Sequence, residues 1–344
     1  MNKNISLLVA IGLLTGCTGG SHIKDVSSFE KRPLVKTSVM PSKAQISGAK
    51  ARVVVLDIDD QAVAIAKTAN LGVVIRNKVE SLVADAGAET VDRKLAMKLQ
   101  EEIQLAEVKG NRNYKGPEIA DFSITGKVVT TEFTQSYSAA SSWVDDKGKR
   151  HVTPAKCTYR AAIEATLKVH ALPSLNLLDT ISITDSESRT QDLSGHSYRH
   201  YYTSQTCPKY TQAQLSSLIG AAGADAVVES KVQIKSNFSP RGYITEYRVA
   251  KDRNIFKITM GKLAGVKEGM KVDVIQMFHD ENALTGETNL EERKLTEGAV
   301  SNIVGQKYSW IVIDDASMAG RIRLGDTVKV RFEDSFLDEI KKIF

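Results

Sequence analysis

The segment 159–169 constrains the fold of this 344-residue chain more tightly than any other. Tyr159, Ala161, Ile163, Ala165, Leu167 and Val169 alternate with Arg160, Glu164, Thr166 and Lys168. Successive side chains of a strand point to opposite faces, so this pattern gathers the apolar groups on one side. A strand with one apolar and one polar face belongs to an antiparallel sheet covered on one side only. Pro173, Ser174, Leu175 and Asn176 supply a turn, and 177–184 returns as a second strand.

The flanking segments predict a mixed architecture. Residues 52–58 are almost continuously apolar, which suits a strand covered on both faces. Over 70–86, Leu71, Val74, Ile75, Val79, Leu82 and Val83 recur at three and four, which predicts a helix ended by Gly87. A short strand at 89–92 and a second helix at 94–108 follow, then a turn-rich break at 110–117. Residues 120–133 read as a strand in which Gly126 allows close backbone approach or a bulge. A helix at 212–222 precedes Gly223, and 225–234 is expected as the last strand of the domain. Pro240, Arg241 and Gly242 mark a boundary, beyond which the chain reads as all-β. There 266–274 and 322–330 resemble each other, each a tight turn feeding a strand, one at either end of a small barrel. Residues 336–344 are expected as a short terminal helix.

The N-terminus carries a different message. Lys3 precedes an apolar run at 5–14, followed by Leu14, Thr15, Gly16 and Cys17. A charged start, a short apolar core and small residues form a secretory signal. The run is too short to span a bilayer, which takes about 20 apolar residues. The Leu-Thr-Gly-Cys tetrad resembles the bacterial lipobox. That resemblance implies a diacylglyceride on the Cys17 sulfur, cleavage before Cys17, and residues 1–16 as a removed signal. Thr18, rather than Asp, follows Cys17, which by analogy with Gram-negative sorting points to the outer membrane and a body facing the periplasm. Residues 18–50 are polar and without period, and read as a flexible tether with a reach of roughly 30 Å.

Charge and cysteines narrow the function classes. Forty-six Lys and Arg against 41 Asp and Glu give +5, scattered along the chain, which does not argue for nucleic acid. Export places Cys157 and Cys207 in an oxidising space, where they are expected to pair. Closing that loop contributes about 4 kcal/mol on the chain-entropy account. The alternative is a metal site of Cys157, His196, His200 and Cys207, although the segment holding both histidines reads as loop or strand. The chain has no Gly-x-Ser-x-Gly elbow, no phosphate-cradling loop and no His-Glu-x-x-His. Asp57, Asp59 and Asp60 read as a solvated loop and helix cap rather than a cation site. No enzymatic activity, cofactor or metal is expected.

Three stretches in order resemble the periplasmic module of CsgG-type curli secretion lipoproteins and the related TolB N-terminal-like fold. They are Val53–Asp57 by number 53–57, the strand, Asp92-Arg93 and helix of 89–102, and the strand 120–128 with Ala120, Asp121, Phe122 and Gly126. More weakly, 244–332, and 261–269 most of all, resembles the SH3-like domain of the flagellar assembly protein T family. The fold class these resemblances imply is α+β: a mixed sheet with packed helices over 51–236, followed by a small SH3-like β-barrel over 240–335. Asp92 and Arg93 then stand as a partner-binding pair, or as a helix cap and an ion pair to Glu101, Glu102 or Asp121. The CsgG likeness also makes 133–156 and 185–207 candidate pore hairpins. Phe133, Tyr137 and Trp143 share one alternating face of the first, but Gln135, Ala139 and Ser141 leave it poorly apolar for lipid. The expectation is a non-enzymatic outer-membrane lipoprotein that assembles or scaffolds an envelope machine, such as a flagellar basal body or surface appendage. Its expected partners are other envelope proteins and further copies of itself in an oligomer or ring. The alternative is a subunit of a CsgG-type secretion channel.

Overall fold

The computed structural model describes residues 21–42, 46, 50–92, 97, 120–172, 174–195, 198–251, 253–281, 284 and 288–334. The chain divides into two compact units, one centred on 48–240 and one on 241–262 and 266–329, the latter joined by the N-terminal residues. The first strand, β1 (Glu30–Arg32), belongs to the second unit.

The first unit holds β2 (Arg52–Asp59), β3 (Glu89–Thr90), β4 (Phe122–Ser138), β5 (Ser141–Val144), β6 (Arg150–Thr153), β7 (Lys156–Ala171) and β8 (Asn176–Asp192). Five of them form a sheet in the order β3-β2-β4-β7-β8, while β5 and β6 pair separately. Strand β2 lies parallel to β3 and β4; β4, β7 and β8 form an antiparallel meander. All six apolar residues of the alternating segment 159–169 are buried. A one-residue slip of β7 would turn that whole set to the polar face, which fixes the register. Strand β2 is buried on both faces, with Val53 and Val55 in the main core and Val54 and Leu56 in a second cluster with Ala120.

Helices Ala64–Ala69, Leu71–Asp85, Gln212–Glu229 and Lys231–Asn237 supply the other side of the main core. Thr211 begins the third with a capping box, its hydroxyl accepting from the Gln214 amide and its own amide donating to the Gln214 side chain. The strand expected at 225–234 is instead helical. Leu218, Ile219, Ala222, Gly223, Ala226 and Val227 are the buried residues of that helix. They repeat at three and four, so the helical period continues through Gly223. Gly223 does not end the helix; it lets it approach a neighbour, since a Cβ there would sit 2.3 Å from Leu71 Cδ1.

The second unit holds β9 (Arg241–Ala250), β10 (Arg253–Ile258), β11 (Lys271–Glu281), β12 (Thr288–Val304), β13 (Ser309–Ile313) and β14 (Thr327–Arg331). Its seven-stranded sheet runs β1-β9-β10-β13-β12-β11-β14, and an extra β9–β14 pairing closes six of the strands into a barrel. Ile244, Phe256, Val272, Val274, Ile311 and Val328 are among its buried residues. The two similar turns both use a glycine in the left-handed region, Gly269 at φ 80° and Gly325 at φ 89°. They do not sit at opposite ends of the sheet order: β11 and β14 are neighbours.

Two expectations are corrected here. The α+β class of mixed sheet and packed helices followed by a small SH3-like barrel does not describe this chain. Strand outweighs helix among the described residues, in sheets of seven, five and two strands. The excess has a definite source: β4, β8 and β12 each run 17 residues, well beyond the expected ends of the first two. The second correction concerns the tether. Residues 21–42 carry β1, which pairs with β9, and a bridge from Lys36 to Leu324. Ile23 and Phe29 are buried, and that apolar burial draws the polar segment into the second unit. The helices expected at 94–108 and 336–344 lie outside the described residues, Met97 excepted.

Candidate functional site

The long meander of the first unit carries a ribbon whose base is closed and whose end is exposed. Strands β4 and β7 pair from Phe122 opposite Ala171 to Ser138 opposite Lys156, with a one-residue shift between Val128 and Thr130. On the other side of β7, β8 follows to Asp192 opposite Lys156. The segments 133–156 and 185–207 thus begin as continuous sheet rather than as loops.

Cys157 and Cys207 form a disulfide, with their Cα atoms 5.7 Å apart. Cys157 is fully buried on β7, opposite Tyr137. The bridge fastens β7 to the segment that follows the short helix Arg199–Ser204. Beside it the Tyr159 ring stacks on Tyr210 at 4.1 Å between centroids, and Phe133 stacks on Tyr210 at 5.7 Å. The Tyr159 hydroxyl donates to the Pro208 carbonyl at 2.8 Å. Burial, and then the neighbouring phenol of Tyr210, push the Tyr159 pKa up, so it stays a neutral donor. With both thiols in the bridge, the metal reading loses its sulfur ligands. His200 lies in the Arg199–Ser204 helix, and His196 lies outside the described residues. Among the described residues no cluster of His, Cys, Asp and Glu fits a metal ion.

The three aromatic residues that share one alternating face part company. Phe133 and Tyr137 pack against the main core. Trp143 does not: it is 57% exposed, on the two-stranded extension formed by β5 and β6. Its ring stacks on His151 at 4.4 Å between centroids. His151 Nε2 lies 2.8 Å from Asp145, whose carboxylate also accepts the amides of Lys147 and Lys149 at 3.0 and 2.8 Å. Bonding to His151, then to the Lys149 amide, holds the Asp145 carboxyl below its ordinary pKa. Gly148 makes the turn with φ 74°. The end of the ribbon is therefore an ordered unit, in which Asp145 binds the turn and positions His151 under Trp143. Val144 and Val152, 62% and 63% exposed, occupy the other face. Sequence reading identified the turn at 145–150 but not the Trp143–His151 stack. The signal was present: pairing Asp145 with Lys149 across that turn brings 143 opposite 151.

The other face of the meander is polar. Thr158 and Thr190 hydroxyls lie 3.3 Å apart, and Arg160 donates to the Ser186 hydroxyl at 2.9 Å.

Among the remaining candidates, the carboxylates around the end of β2 have structural roles. Asp57 pairs with Arg76; Asp59 accepts from the Gln61 amide at 3.0 Å. Asp60 accepts from the Gly72 amide at 3.1 Å, near the start of the Leu71–Asp85 helix. These three carboxylates thus serve the strand end and the following helices. Asp92 is exposed just after β3, and Arg93 lies outside the described residues, as does Cys17. Asp121, a proposed partner for Arg93, binds Arg52 through the amide at 2.8 Å and Nη2 at 2.8 Å. No described helix is long and apolar enough to cross a membrane.

No family model and no curated protein matches the chain. Among solved structures it is similar to the PelC dodecamer from Paraburkholderia phytofirmans, with 11% identity and a TM-score of 0.22 over 57% of this chain and 96% of that one. It is similar to a minor lipoprotein from Acinetobacter baumannii, with 9% identity and a TM-score of 0.24 over 59% and 98%. A hypothetical protein from Chlamydia trachomatis gives 12% identity and a TM-score of 0.23 over 54% and 98%. At such TM-scores these likenesses carry no argument about what this chain does, and none of them bears on the CsgG or flagellar assembly protein T resemblances.

Proposed function

We propose that this chain is an exported lipoprotein, anchored to the outer membrane through Cys17, that works by holding other envelope proteins rather than by catalysis. The single observation that carries the reading is the pairing of two kinds of cysteine. Cys17 ends a signal of lipobox pattern, and Cys157 and Cys207, the remaining two, form a bridge whose Cys157 end is fully buried. A structural disulfide belongs to an oxidising compartment, which is where such a signal delivers a chain. The ordered, exposed Trp143 unit adds a surface suited to contact, since exposed aromatic groups with rigid support favour protein recognition. Other envelope proteins, and further copies of this chain in an oligomer or ring, are the partners this reading implies.

The channel-subunit alternative loses its support at the first hairpin. It requires Phe133 and Tyr137 to face lipid with Trp143, and both pack inward. Metabolic labelling with palmitate tests the main reading. Label on the wild-type chain and none on Cys17→Ser, with the variant released from the membrane fraction, is the expected result. Equal membrane retention of an unlabelled wild-type chain contradicts it. Stable, large conductances from the purified protein in planar bilayers would favour the channel instead.

A further inference from the structure

The way residues 21–42 fold changes what the lipid can do. The Ile23 amide donates to Asn302 Oδ1 at 2.7 Å, and its carbonyl accepts from Asn302 Nδ2 at 3.1 Å. Its side chain is buried in a cluster with Phe29, Ile255, Trp310 and Val312. The Arg248 guanidinium donates to the carbonyls of Val26 and Phe29 at 3.3 and 3.5 Å and lies over the Trp310 ring. Strand β1 then continues along β9. Ile23 is thus a fixed point of the second unit, six residues from Cys17. An extended chain covers at most about 3.5 Å per residue, so Ile23 lies within roughly 20 Å of the Cys17 backbone, whatever path the intervening residues take. A leash that short leaves little room for the unit to turn away from the bilayer.

We infer that the end of the barrel carrying Ile23 is held against the membrane and rests on phospholipid headgroups. The inference depends on the lipidation of Cys17 proposed above. The surface at that end fits the assignment. Around Ile23 is an open cleft of about 830 Å³, lined among others by His22, Lys24, Asp25, Lys251, Arg253 and Glu268. Lys24 and Lys251 are exposed, and Arg253 donates to the His22 carbonyl at 2.9 Å, joining the β9–β10 turn to the leash. Cations of this kind suit lipid phosphates, while Asp25 and Glu268 suit the ammonium of a phosphoethanolamine headgroup. The opposite end of the same unit has a marker. Strand β11 begins at Lys271, three residues from Glu268, and runs to the exposed Glu281, roughly 30 Å away for ten extended residues.

The test uses the full lipidated protein in vesicles of phosphatidylethanolamine and phosphatidylglycerol. Lys24→Cys and Glu281→Cys are labelled separately with a thiol-reactive fluorophore, the native pair remaining bridged. Nitroxide placed on the lipid headgroups is expected to quench the probe at 24 several-fold more than the probe at 281. Equal quenching, reversed order or no quenching of protein that floats with the vesicles overturns this inference alone. Failure to float overturns the lipid premise and the inference with it.

Discussion

Gly223 shows how one residue sets a packing distance. Its missing side chain lets the Gln212–Glu229 helix lie against Leu71, which is itself fully buried. Gly223→Val is expected to cost about 2 kcal/mol through overpacking, read from the urea midpoint at unchanged slope. Sequence reading ended the helix at 222, just before this glycine, because a glycine after an apolar helix is usually a cap and only the partner helix reveals otherwise. Trp143 offers a second residue-scale prediction. The chain has two tryptophans, and Trp310 is buried. In Trp310→Phe, the remaining emission is therefore expected to be red-shifted and strongly quenched by acrylamide. Weak quenching would mean that Trp143 is covered. Exchanging Trp143 for alanine is expected to change stability by less than about 0.5 kcal/mol, since its ring supports no core.

At the scale of elements, an ion pair ties the start of β2 to the residue before β4, and a disulfide ties β7 to the segment after the Arg199–Ser204 helix. Asp121, just before β4, takes the amide and guanidinium of Arg52 at the start of β2. Burial alone would raise the Asp121 pKa; the bonds from Arg52 outweigh it and hold the carboxyl below its ordinary value. A depressed folded-state pKa contributes stability above the unfolded value, about 3.9, and that contribution is lost as pH falls through the folded one. Asp121→Asn is therefore expected to be less stable than wild type near neutrality, and the difference to shrink in acid below about pH 4. A gap that widens in acid would contradict this assignment. The disulfide closes a separation of 50 residues. Replacing both Cys157 and Cys207 by alanine is expected to lower unfolding free energy by about 4 kcal/mol. The β-strand alternation, the helix Leu71–Asp85 and the pairing of these cysteines were legible because each depends on local period or on chemistry alone. The lengths of β4 and β8 were not, because their outer halves carry Thr, Ser and charged residues in no period that distinguishes strand from loop. Register with β7, a long-range property, is what extends them.

For the whole molecule, the decisive fact is that residues 21–42 do not simply trail. No sequence period announces β1; the burial of Ile23 and Phe29, the Asn302 bonds to Ile23 and the pairing with β9, all far away in sequence, make the segment fold. On the lipidation of Cys17 proposed above, that turns a tether into a leash that would bring one end of the barrel to the membrane. The account as a whole then depends on Cys17 and on the bridge. Intact-mass spectrometry of the unreduced protein, extracted from membranes and treated with a maleimide, reads both together. The account predicts a chain beginning at Cys17 that carries a diacylglyceryl group and no maleimide. A chain that retains its first 16 residues, or maleimide on Cys157 and Cys207, would contradict it.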